Sequence, residues 1–310
     1  MANKLVMGAI AAFVAVDVVL VVAAMRHVSG EPPPGGDAIS APTSAKNPTT
    51  QPTQSQPPDS PTPSQPSQSG SPVAEAGSEG LLSIGIDGTI LRATSGDCRT
   101  DETGEVEVST DEGASFRTVF SDVPQVLRVV AVSRSDLWFV SADDACQPSV
   151  ERSGDTGRSW VHSDGTAGAY HPSLSDNASL LHAPDGAVRV GCAAVGFAAL
   201  DPEVAFVGCA DGAIRRTLDR GQTWVPRGQV SGVVSLTFRD AETGFALAAQ
   251  IGCPATAVTT KDSGNTWTFT ECLDGATPEA IATNADRLVA QVDGDILVSD
   301  DDGQSWVPAG

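Results

Sequence analysis

The chain has 310 residues, with 39 acidic against 18 basic side chains and a formal net charge of −21 at neutral pH. That balance weighs against nucleic acid and anionic lipid as partners, because both recruit proteins through basic patches. It suits a well-solvated surface or a cationic partner.

Residues 1–4, Met1-Ala2-Asn3-Lys4, read as a short cytoplasmic N-terminus. Residues 5–25 are apolar apart from Asp17, and about 20 such residues span a bilayer as a helix. A cleavable signal peptide has a shorter apolar core of about 7–15 residues. A retained transmembrane signal anchor is therefore expected. Asp17 costs about 2.5–3.5 kcal/mol at a helix centre on insertion scales. Either the surrounding Val, Ala and Leu residues tolerate it, or it touches another membrane helix. Lys4 on one side faces Arg26 and His27 on the other, so charge alone does not orient the segment. The bare N-terminus followed by a long polar remainder places the larger part outside the cell. The expected location is the cell membrane, single-pass, with the C-terminal domain extracytoplasmic.

Residues 26–79 are dominated by Pro, Ser, Gln, Thr and Gly, as in Thr50-Gln51-Pro52-Thr53-Gln54-Ser55. Such a stretch buries too little apolar area to offset chain entropy and reads as a disordered, semi-extended linker. A Pro-rich recognition motif is the minor alternative.

From residue 80 to residue 310 the chain turns to short apolar or alternating runs. One octet recurs five times: Ser/Thr, any residue, Asp, any residue, Gly, two more residues, then Trp or Phe. The copies carry Asp111 with Phe116, Asp155 with Trp160, Asp219 with Trp224, Asp262 with Trp267, and Asp301 with Trp306. Each lies between two strand-like runs, which marks a tight hairpin. The Asp carboxylate folds back onto turn N–H groups. The Gly supplies a positive φ, and the aromatic residue carries the largest apolar area. Turn chemistry accounts for every invariant position, so these residues are expected to serve the fold.

The octet resembles the Asp-box, or BNR repeat, of sialidase-type β-propellers and of Ycf48-like assembly factors. The resemblance covers residues 80–310 and implies an all-β propeller; it does not imply a function. The five aspartates are separated by 44, 64, 43 and 39 residues, close to the period of a four-stranded blade. Five blades are favoured, with six as the alternative. Residues 165–190 form an insertion too short for four strands. The run from Leu81 to Arg92 resembles that from Ala205 to Arg216 and is a candidate relic of another blade.

Six cysteines, an even number, all follow the apolar segment, as befits an oxidising compartment. Of the fifteen possible pairings, the strand plan favours Cys192 with Cys209 and Cys253 with Cys272 across antiparallel strands. Cys98 and Cys146 then remain as a staple between the first two blades. Zinc is the rival reading, but no Cys-x-x-Cys spacing supports it.

No catalytic set assembles from the sequence. Sialidases use an arginine cluster and a tyrosine nucleophile paired with a glutamate. The only tyrosine here, Tyr170, lies in the insertion with no paired glutamate near it, and its change to Phe is expected to matter little. His162, His171 and His182 are more readily solvent-exposed loop residues than metal ligands. The run Asp300-Asp301-Asp302 resembles a calcium loop, yet no glutamate closes it. No cofactor is expected. The favoured function is a membrane-tethered, non-catalytic module that binds a protein or glycan partner. A divergent exo-sialidase-like glycoside hydrolase is the alternative. An arginine and carboxylate cluster at the rim or central channel would favour the enzyme.

Overall fold

The computed structural model describes residues 81–175 and 177–310. The anchor expected at 5–25 and the linker expected at 26–79 lie outside the described residues. The described residues contain no helix long and apolar enough to cross a membrane.

All regular structure among the described residues is β, in six antiparallel sheets that form the blades of a propeller. The first blade is β1 (Leu81–Ile84), β2 (Ile90–Thr94), β3 (Gly104–Ser109) and β4 (Arg117–Val123). The second is β5 (Gln125–Ser133), β6 (Asp136–Ala142), β7 (Pro148–Ser153) and β8 (Val161–Asp164). The third has three strands, β9 (His171–Pro172), β10 (Leu180–Ala183) and β11 (Gly186–Arg189). The fourth is β12 (Ala194–Ala199), β13 (Ala205–Cys209), β14 (Ala213–Thr217) and β15 (Val225–Gln229). The fifth is β16 (Val233–Phe238), β17 (Gly244–Gln250), β18 (Cys253–Thr260) and β19 (Thr268–Cys272). The sixth is β20 (Pro278–Thr283), β21 (Leu288–Val292), β22 (Asp295–Ser299) and β23 (Val307–Pro308).

The expectation of five blades is corrected to six. The insertion at 165–190 makes a blade after all, because three strands of two to four residues suffice once neighbours cover both faces. The run from Leu81 to Arg92 belongs to the first blade, as β1 and part of β2. Its likeness to the run from Ala205 to Arg216 is one of hairpin type, since the latter forms the second and third strands of its own blade.

Strand order within every sheet follows chain order, so each blade is a plain meander. Burial depends on position in the blade. β13 is buried at all five positions, whereas β8, at an outer edge, is exposed at all four. Middle strands are sandwiched between neighbouring blades, and outer strands face water on the rim.

The core is a ring of six apolar clusters, one for each interface between consecutive blades. Ile84 and Ile90 of the first blade pack with Ala282, Val289 and Ile296 of the sixth, which closes the ring. No blade borrows a strand from another, so closure rests on side-chain packing and a few polar links. Asn284 Nδ2 donates to the Gly85 carbonyl at 2.9 Å, and Arg92 Nη1 to that of Gly294 at 3.2 Å.

Candidate functional site

The five repeated turns share one hydrogen-bond pattern. In the first, Ser109 Oγ donates to Asp111 Oδ1 at 2.7 Å and accepts from Gly113 N at 2.9 Å. Ser115 N donates to Asp111 Oδ1 at 3.0 Å, and Ser115 Oγ to Oδ2 at 2.6 Å. The same contacts surround Asp155, Asp219, Asp262 and Asp301. Both oxygens of each carboxylate are engaged inside its own turn. The Gly is left-handed in all five turns, and so is the residue before it, from Glu112 at φ 62° to Asp302 at φ 59°. Two consecutive left-handed residues match the right-handed twist of the flanking strands.

These bonds lower the pKa values of the carboxyls. Asp111, Asp155 and Asp301 are each brought down to about 2, chiefly by the hydroxyls of Ser115, Ser159 and Ser305. A carboxyl whose folded value lies below its unfolded one stabilises the fold above the unfolded value, near 3.8. That contribution disappears as pH falls toward about 2. Thermal melts are therefore expected to lose midpoint temperature between about pH 4 and about pH 2. Replacing Ser115, Ser159 and Ser305 together by Ala should lower the melting temperature at pH 7 and flatten the acid limb. An unchanged limb would show that other carboxyls set it.

The structure adds a role to these turns that spacing along the chain does not show. Each aromatic residue packs back onto the preceding blade: Phe116 on the sixth, Trp160 on the first, Trp224 on the third, Trp267 on the fourth, and Trp306 on the fifth. The turn glycines press the same way. A Cβ on Gly157 would come within 2.7 Å of Val119 Cγ1, and one on Gly221 within 2.9 Å of Ala183 Cβ. The variable residue before the Gly also reaches backward in three turns: Glu112 to Arg287, Arg220 to Asp185, and Asp302 to Arg239. The run Asp300-Asp301-Asp302 is thereby divided. Asp300 pairs with Arg287 at 2.6 Å, Asp301 binds its own turn, and Asp302 pairs with Arg239 at 2.7 Å.

The inner strands of five blades enclose a central cavity of about 300 Å³. Its wall mixes apolar Leu82, Val130 and Leu236 with the hydroxyls of Ser83, Ser235 and Thr283. Among the described residues, Arg128 and Glu279 are the only charged side chains that line it. Glu279 Oε1 accepts from Gly294 N at 2.9 Å.

Tyr170 is a core residue, 2% exposed, and its hydroxyl donates to the Pro202 carbonyl at 3.1 Å. Burial raises its pKa to about 12. It offers no accessible nucleophile. Tyr170→Phe removes this bond and should cost about 0.5–1.5 kcal/mol in urea melts. The three histidines do not gather as one set: His171 and His182 meet, and His162 lies apart on β8. His162 Nδ1 bonds Glu151 at 2.5 Å. His171 is buried and stacks on His182 at 4.5 Å, which corrects the expectation of an exposed loop residue. Burial lowers His171 to about 4. Among the described residues no group of three or more His, Cys, Asp or Glu side chains is placed to hold a metal.

The disulfides are Cys98–Cys146, Cys192–Cys209 and Cys253–Cys272. The first ties the β2–β3 loop of the first blade to the β6–β7 loop of the second, and the other two lie within the fourth and fifth blades.

No family model and no curated protein matches this sequence. Solved structures are similar to it in fold. One is the crystal structure of the Niastella koreensis GH74 enzyme, with 12% identity and a TM-score of 0.35, covering 74% of this chain and 37% of that one. Another is YCF48 bound to D1 peptide, with 18% identity and a TM-score of 0.32, covering 74% of this chain and 66% of that one. This chain therefore spans little more than a third of the first structure's length. Both are β-propellers, and at this distance neither carries an activity or a site across.

Proposed function

We propose that the chain is a membrane-tethered, extracytoplasmic propeller that binds a protein or glycan partner and has no catalytic role. In this reading residues 5–25 are the anchor, residues 26–79 are a spacer, and the five turns are Asp-boxes that hold the blades together. The observation that carries it is the wall of the central channel. Cleaving a glycosidic bond normally takes two carboxyl groups flanking the bond, or a tyrosine and glutamate acting together. The channel lining offers one carboxylate, Glu279, and one arginine, Arg128, while the only tyrosine is buried. Three disulfides fit a location outside the reducing cytoplasm.

The test has two arms. Protease added to spheroplasts should cut the spacer and release an intact propeller, and full protection would overturn the tethered reading. Crosslinking in membranes followed by affinity capture should retain a specific partner that the isolated spacer does not capture. A fluorogenic sialoside supplies the counter-test, and turnover abolished by Glu279→Gln would replace the binding reading with the hydrolase.

A further inference from the structure

The third blade is the weak point of the ring. Its inner strand β9 has two residues, where the inner strands of the other blades have four to nine. No residue of the insertion lines the central cavity. A lateral cavity of about 300 Å³ opens there instead, lined from the second blade, the loop at 166–170 and the turn at 199–202. Much of its wall is apolar, with Val130, Val132, Val150 and Trp138.

Arg128 lines both cavities. Its Nη1 donates to the Tyr170 carbonyl at 3.2 Å, and its guanidinium lies over the rings of Trp138 at 5.2 Å and Phe197 at 5.5 Å. No carboxylate pairs with it among the described residues. Arg152 lies over the same indole at 5.7 Å but has a carboxylate partner, Asp136 at 3.9 Å. The only acid among the described residues lining the lateral cavity, Asp201, accepts from Glu203 N and Val204 N within its own turn. Burial lowers the Arg128 pKa to about 10, so the group is still charged at neutral pH. A half-buried guanidinium in a largely apolar cavity that lacks a carboxylate partner favours an anion. Its planar fork matches a carboxylate, and the apolar wall and indole favour a planar organic body.

We propose that the lateral cavity beside the third blade binds a small organic carboxylate, its oxygens on Arg128 and its apolar body against Trp138. This site is independent of the tethered-module reading, and either can fail without the other.

Benzoate is a suitable probe, with benzyl alcohol, acetate and chloride as comparisons, titrated into the full chain by calorimetry. Benzoate should bind, and Arg128→Gln should weaken it about tenfold or more, as loss of a charge-assisted fork does. Benzyl alcohol, which lacks the charge, should bind at least as weakly. Absence of benzoate binding, or equal binding by the variant, would overturn the proposal. Equal binding of chloride or acetate would also overturn it, by marking an adventitious ion only. If Arg128→Gln fails to fold, tryptophan emission decides: benzoate should alter that of the unmodified chain and not that of Trp138→Phe. The same change in both proteins sinks the proposal.

Discussion

Replacing Phe139 by Ala is expected to destabilise the chain by about 3–5 kcal/mol, as deletion of a fully buried aromatic ring does. Phe139 is 0% exposed and sits in β6, in the cluster shared by the first two blades. Its ring meets Phe120 edge-on at 5.3 Å and Trp160 at 5.0 Å. Phe120 belongs to the first blade, while Trp160 follows a repeated turn of the second, so one ring couples two blades and a turn. The vacated volume cannot readily collapse, because β6 is paired on both sides in its sheet. Equilibrium urea unfolding should show a lower midpoint. A loss below about 1 kcal/mol would mean that the site repacks. Trp160→Phe, which keeps most of the edge-on packing but loses the bond from Nε1 to the Val119 carbonyl, should cost less.

Removing the Cys98–Cys146 disulfide with a double Cys→Ser replacement is expected to cost about 4 kcal/mol in the chain-entropy model. The closed loop spans 48 residues, against 17 for Cys192–Cys209 and 19 for Cys253–Cys272. Either shorter loop should therefore cost less, about 3 kcal/mol. The longer bridge also joins two blades that share no strand, and Cys98 lies in the cluster between the second and third blades. Comparing the three double variants by thermal and urea unfolding checks the order. If loss of Cys192–Cys209 proves the most damaging, native packing around that bridge outweighs loop entropy and the ranking fails.

Much of the architecture was legible in the linear order of residues, because it is repeated and local. The Ser/Thr-x-Asp-x-Gly octet specifies a turn through bonds spanning at most four residues, so Asp111, Asp155, Asp219, Asp262 and Asp301 announce themselves without tertiary context. The cysteine pairing was readable for a related reason: a strand plan from alternation and turns brings each pair near one hairpin, although the register sets Cys209 against Ala194 and Cys272 against Thr256. The third blade was not readable. It has no octet, its strands are two to four residues long, and its stability comes from Leu181, Ala183 and Tyr170 packing on Ala205 and Val207 of the next blade. Only the closed ring supplies those partners, so an isolated reading of 165–190 yields an insertion. The same holds for Tyr170, which looked like a loop residue and is core, and for Glu112, Arg220 and Asp302, whose variable position became a link between blades. Arg128 shows the contrast most plainly. Its place in β5 follows from alternation along a strand, but its lack of a carboxylate partner depends on which side chains five other blades bring near it. Contacts made across a few residues are set by local chemistry, and those made between blades are set by the curvature that closes the ring.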